Sequence, residues 1–148
     1  MDKRYYGYKE CVNDCKILLP QIKAYAPDAL VCIARGGLTI GHLLSEALNT
    51  RNIYTVNSIH YNDDQKLNGF NIFNIPNLED FKKVVLIDDI VDSGETMVEI
   101  IRILTQKYPN CEFKIATLFY KPTALIKADF TVQEAKNWID FFWEVDLK

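Results

Sequence analysis

No stretch of this sequence stays apolar for the ~20 residues that a membrane-spanning helix needs. The first residues, Met-Asp-Lys-Arg and then tyrosines, lack the apolar centre of a signal peptide, so the expected location is cytoplasmic. Basic tracts are missing too. Asp and Glu total 20 against 17 Lys and Arg, for a formal net charge of -3, which argues against a broad nucleic-acid surface. Histidine is scarce: His42 and His60 show no metal-ligand spacing, and a zinc site needs several clustered ligands. None of the four cysteines (Cys11, Cys15, Cys32, Cys111) forms a C-x-x-C pair, so reduced thiols packed as small hydrophobes are expected. Internal repeats, low-complexity tracts and linkers are also lacking. With 148 residues, 49% of them apolar, the chain suits one domain over 1–148 with a substantial core.

What is present is an alternation of strand-like and helix-like segments. Val12, Cys15, Leu18, Leu19, Ile22 and Tyr25 recur at helical spacing between Tyr8 and Tyr25, with Pro20 predicted to break or kink that helix. The run Ala29 to Ala34 fits a buried strand, closed by Arg35-Gly36-Gly37. Thr39 is then placed to cap a helix carrying Ile40, Leu43, Leu44, Ala47 and Leu48. Asn52 to Ile59 alternates and reads as a strand, His60 to Gly69 as a flexible loop, and "FNIFNI" as a short strand. Val84 to Ile90 is a further strand, and Glu95 to Tyr108 a helix with Met97, Val98, Ile100, Ile101 and Leu104 inward. Phe113 to Tyr120 and "ADFTV" are the last two predicted strands. Such alternation predicts an α/β fold: a mainly parallel central sheet flanked by helices. Ligands of such sheets bind outside the carboxyl ends of the strands. Three polar features fall there: Arg35-Gly36-Gly37, Asp88 to Thr96, and Lys121-Pro122.

The string "VVLIDDIVDSGETM" ends a buried strand in three acids. Adjacent Asp88 and Asp89 face opposite sides of an extended segment, so they need not oppose each other. Carboxylates at a strand end can grip a ribose diol, and one can hold Mg2+ through oxygen. Ser93-Gly94 allows a tight turn into a helix whose free N–H groups suit an anion. A diol grip beside a phosphate cradle describes a ribose 5-phosphate pocket. An acidic metal cluster at a strand end is the alternative reading of the acids alone.

The ordered string "VVLIDDIVDSGET" resembles the phosphoribosyl pyrophosphate (PRPP) signature of type I phosphoribosyltransferases. "CIARGGL" is similar to that family's pyrophosphate loop, and "FYKPTA" to the Lys-Pro segment of its 6-oxopurine branch. "NWIDFFWEVDL" resembles the base-binding hood of the bacterial xanthine-guanine group. The resemblance spans residues ~29 to 148 and implies the type I phosphoribosyltransferase fold with a small C-terminal hood at about 121–148. It implies transfer of 5-phosphoribosyl from PRPP to guanine, xanthine or hypoxanthine, with Mg2+ as cofactor, small-molecule partners and a homo-oligomer. Asp88 and Asp89 would hold the ribose hydroxyls, Asp89 also the metal. Asp92 would sit near purine N7 as the base. Asp92, Ser93, Gly94, Glu95 and Thr96 would surround the 5′-phosphate, and Arg35 and Gly36 would meet the pyrophosphate. Lys121 would donate to O6, Trp138 would stack on the base, and the Ile139 carbonyl would accept from a 2-amino group. Tyr61, Asp63, Asp64 and Lys66 stand where the family has a mobile lid.

Three departures stand out. Ser93 replaces a commoner threonine and keeps the hydroxyl. Glu95 stands where a small residue is frequent, so it is expected to point outward. Glu144 follows Trp143 where the xanthine-guanine group tends to have aspartate, which loosens the expectation for guanine more than that for 6-oxopurines. Two rivals remain: a PRPP-binding regulator of RNA, which would need a basic face, and a phosphoribosyltransferase for adenine or a pyrimidine.

Overall fold

The computed structural model describes residues 2–61 and 69–148. A six-stranded sheet lies at its centre, built from β2 (Ala29–Ala34), β3 (Ile53–Tyr61), β4 (Gly69–Phe73), β5 (Lys83–Val91), β6 (Glu112–Tyr120) and β7 (Gln133–Glu134). The strand order is β4-β3-β2-β5-β6-β7, parallel throughout except for the antiparallel β3–β4 edge. Among the described residues three helices cover it: α1 (Tyr8–Tyr25), α2 (Leu38–Leu48) and α3 (Glu95–Lys107). A second sheet of two parallel strands joins the chain's distant ends, β1 (Lys3–Tyr6) and β8 (Trp138–Phe141). The α/β, mainly parallel expectation holds. No described helix is long and apolar enough to cross a membrane.

Both sheet faces are covered, which is why the central strands read as unbroken apolar runs rather than alternating ones. Leu30, Val85, Ile87, Ala116 and Leu118 face the α1 and α2 side with Leu18, Ile22, Ile40 and Leu44. Val31, Ile33, Val84, Leu86 and Ile115 face α3 through Met97, Ile100 and Leu104. Two glycines let α2 pack close. A Cβ on Gly37 would lie 2.1 Å from the Ile87 carbonyl oxygen, and one on Gly41 2.0 Å from Cys32 Sγ.

Several local expectations are corrected. α1 runs unbroken through Pro20, which is exposed on its outer side, where water can solvate the carbonyl that loses its partner. Thr39 does not cap α2. The helix starts at Leu38 behind Gly37, whose N–H already donates to the Ile33 carbonyl (2.8 Å). Val98 is exposed rather than inward. His60, Tyr61 and Gly69 belong to the β3–β4 ladder rather than to a loop; 62–68, and with them Asp63, Asp64 and Lys66, lie outside the described residues. "ADFTV" is not a strand. Asp129 turns its carboxylate to accept from the Ile115 N–H (2.8 Å), leaving one bridge between Ala116 and Phe130 before β7. The four cysteines are free thiols, as expected.

Candidate active site

The carboxyl ends of β2, β3 and β5 open into one cleft of about 810 Å³. Its walls include Arg35, Gly36 and Thr39 from the β2–α2 turn, and Ser58 and His60 from β3. Asp88, Asp89, Asp92, Ser93, Gly94 and Thr96 come from the β5–α3 segment, and Trp143, Glu144 and Val145 from the C-terminal stretch. The sequence-predicted sugar, phosphate and pyrophosphate residues therefore meet, with one exception. Glu95 is exposed in the first turn of α3 and does not line the cleft, in keeping with its expected outward direction.

The β5–α3 turn is built for close approach. Gly94 has φ +86°, which strains any side-chain-bearing residue, and caps α3 without a side-chain bond. The Ser93 hydroxyl accepts from the Glu95 N–H (3.3 Å), and the Ser93 carbonyl accepts from Leu125 (2.8 Å). The turn is thus anchored from behind, and the N-terminus of α3 adjoins the cleft that Ser93, Gly94 and Thr96 line.

Gly36 sits against the acid pair. A Cβ there would lie 2.6 Å from Asp89 Oδ2 and 2.8 Å from Asp88 Oδ1. Glycine is therefore required by space at this turn, where the Ala34–Arg35 peptide is cis. Burial raises both carboxyls above the usual aspartate range, and Asp89's charge raises Asp88 further. The Asp89 N–H donates to Asp88 Oδ1 (2.9 Å), an insufficient offset. Glu144 is also raised, first by burial and then by Asp89 and Asp140, against the pull of Arg35. These acids share a site that favours a cation.

The base-reading residues are more dispersed. Lys121 Nζ pairs with Asp92 Oδ1 at 2.7 Å, the cation resting on the carboxylate expected to act as base. The Lys121 N–H also donates to the Val91 carbonyl (3.2 Å), which fixes the β6 end beside the β5 end. None of Lys121, Trp138 and Ile139 lines the cleft itself, and Lys121 reaches it only through Asp92. Trp138 is 58% exposed on the outer face of the β1–β8 sheet, and Ile139 is buried in the core beneath it. Trp143 takes the wall position, stacked on Phe141 at 4.7 Å. Ser58 and His60 lining the cleft were not singled out from sequence. Their signal is slight, alternate positions on a strand whose end faces the site.

The sequence matches the phosphoribosyl transferase domain over residues 7–148. A xanthine-guanine phosphoribosyltransferase of Cereibacter sphaeroides is 31% identical, with 97% of this chain and 88% of that protein covered. The solved Helicobacter pylori xanthine-guanine-hypoxanthine phosphoribosyltransferase superposes with a TM-score of 0.92 at 40% identity, over 99% of this chain and 96% of that one. A purine phosphoribosyltransferase from Pyrococcus horikoshii follows at 0.84 and 29%, over 100% and 97%.

Proposed function

This chain belongs to the phosphoribosyl transferase domain family, and we propose that it is a purine-salvage phosphoribosyltransferase acting on a 6-oxopurine. The products with guanine, xanthine or hypoxanthine are GMP, XMP or IMP, with pyrophosphate released. The observation that carries the reading is the 2.7 Å contact between Lys121 and Asp92, at the edge of a cleft lined by the sugar-phosphate residues. O6 and N7 are neighbours on one purine edge. A cation and a carboxylate held side by side complement that edge, one donating to O6 and the other accepting at N7. Adenine would present an amino group to Lys121, donor against donor.

In this proposal the N9–C1′ bond forms as the C1′–pyrophosphate bond breaks. Pyrophosphate leaves with the bonding electrons, and the proton on N7 passes to Asp92. Asp88 and Asp89 accept from the ribose hydroxyls. The N–H groups from Ser93 to Thr96 hold the 5′-phosphate, while Arg35 and the Gly36 N–H meet the pyrophosphate. Trp143, in the hood at about 121–148, is the proposed aromatic wall for the base, since Trp138 and Ile139 lie outside the cleft lining.

Two carboxylates raised by burial, Asp88 also by the charge of Asp89, suit a hard divalent ion with oxygen ligands. Among the described residues no group of three or more acidic, His or Cys side chains could hold a metal alone. That fits Mg2+, which takes one or two carboxylates and completes its shell with water and substrate oxygens. Asp89 is the proposed ligand, and bound Mg2+ would neutralise charge on the departing pyrophosphate. A homo-oligomer and a cytoplasmic setting complete the proposal.

Purified protein with PRPP and Mg2+ is the test, each of guanine, xanthine, hypoxanthine, adenine and uracil being supplied in turn. Pyrophosphate release with at least one oxopurine and not with adenine or uracil is expected. No release with any of the three oxopurines overturns the proposal.

A further inference from the structure

Behind the base end of the cleft lies a polar cluster with no part in the chemistry above. Tyr6 of β1 donates its hydroxyl to Asp14 Oδ2 at 2.7 Å, and Gln133 Nε2 donates to the same oxygen at 2.7 Å. Asp14 is 7% exposed, one of few polar side chains buried on this fold. Gln133 also donates to Glu10 Oε2 (3.2 Å) and accepts from Arg4 (3.0 Å). Arg4 pairs with Glu10 and places its guanidinium 5.5 Å from the Phe119 ring centre. The cluster thus joins three elements remote in sequence: β1, α1 and β7.

What it holds is the strand pair that leads directly into the cleft-lining Trp143. β8 has one hydrogen-bonded strand neighbour among the described residues, β1, in the register Lys3–Trp138 to Tyr6–Phe141. The Tyr6 ring meets Phe119, Phe141 and Trp143 edge-on, at 5.0, 5.7 and 6.4 Å between centres. Trp143, in turn, lines the cleft. A buried carboxylate is costly unless hydrogen-bonded, and Asp14 spends its two bonds at one oxygen on the two elements flanking the hood. A merely apolar junction would fill this space without fixing a register.

We infer that Tyr6, Asp14 and Gln133 are positioning residues that set the base end of the cleft by fixing β1, and through it β8 and Trp143. The inference rests on the purine reading above. The cluster touches neither the β5–α3 turn nor Arg35, so its loss falls on the base and spares PRPP.

The experiment compares Tyr6→Phe, Asp14→Asn and Gln133→Met with the parent protein. Tyr6→Phe keeps the ring and removes one donor, which should raise the hypoxanthine KM about five-fold. The PRPP KM should stay within two-fold. Gln133→Met, at a half-buried position less apt to impair folding, should act in the same direction. Asp14→Asn keeps an acceptor oxygen and should fall between parent and Tyr6→Phe. Amide hydrogen exchange across 138–141 should quicken in Tyr6→Phe, with or without turnover. An inactive parent protein would therefore sink the purine reading while exchange still decides the positioning claim. Unchanged hypoxanthine KM, equal rises in both KM values, or unaltered exchange at 138–141 would overturn it.

Discussion

The two ends of the cleft are made differently. The sugar-phosphate end comes from one continuous stretch, Asp88 to Thr96, closed by the turn Arg35-Gly36 pressed against it. The base end is assembled from a strand end at Lys121, a C-terminal strand and an N-terminal strand that holds it. One end is specified by local backbone conformation and tight glycine contacts. The other depends on non-local pairing and a buried hydrogen-bond cluster. Substitutions should therefore fail sharply at the first end and by degrees at the second.

The largest effect is expected from Gly36→Ala. The added methyl meets Asp89 Oδ2 at 2.6 Å with the Asp88 oxygen just beyond. The turn must move away from both acids, and kcat/KM for PRPP should drop by ~100-fold or more, since small displacements at a reacting centre cost that much. A drop under ten-fold in a folded variant would show that the two segments are not packed as described. Asp92→Asn comes next. It keeps the shape and removes the base, so kcat should fall ~10²-fold with the PRPP KM nearly unchanged. Equal losses in kcat and PRPP affinity would remove Asp92 from the proton transfer.

Asp88→Asn separates stability from function. The folded Asp88 and Asp89 carboxyls titrate above their unfolded values, by burial first and then by mutual charge at Asp88. A raised folded pKa stabilises the protein below the unfolded pKa of ~3.9, and that stability is lost as pH rises through the folded value. Asp88→Asn removes this loss. Without PRPP and metal, its Tm at neutral pH should exceed the parent's by about 2–4 °C. The gap should close as pH falls toward 4, while PRPP binding weakens. A lower Tm at neutral pH would mean that the acid pair stabilises the empty cleft. The smallest effect belongs to Glu95→Gln. This exposed side chain does not line the cleft, so steady-state constants should stay within about two-fold. A large rise in PRPP affinity would mean that the carboxylate does reach the phosphate.

The same contrast explains what was legible in the sequence. The β5 strand, its acids and the Ser-Gly turn were legible because each residue acts on its own neighbours. The faces of the central strands followed from unbroken apolar runs. β1 and β8 were not legible as strands: four residues each, they pair across 135 positions, Lys3 with Trp138. No local pattern encodes such a pairing. "ADFTV" failed for the opposite reason, a good strand composition diverted by the Asp129 carboxylate bonding to Ile115. Pro20 was read by its local rule, but its position on the exposed side of α1 leaves the helix intact. At the site, Arg35, Gly36, Asp88, Asp89, Asp92, Ser93, Gly94 and Thr96 converge as expected. Trp143 stands in the wall where Trp138 does not, because alternation along β8 sends Trp138 outward and Ile139 and Phe141 inward.

The claim that the two ends are separable, and that Lys121 reads the 6-position, has one direct measurement. Hypoxanthine and adenine differ at that position and in the N1 proton that goes with it, so the change in their kcat/KM ratio on altering Lys121 reports on the 6-position. The parent should prefer hypoxanthine by at least ~10³-fold. Lys121→Ala should bring that ratio down by about two orders of magnitude with the PRPP KM within a few-fold of the parent. An unchanged ratio in Lys121→Ala, or a PRPP KM that rises as much as the ratio falls, would contradict the account.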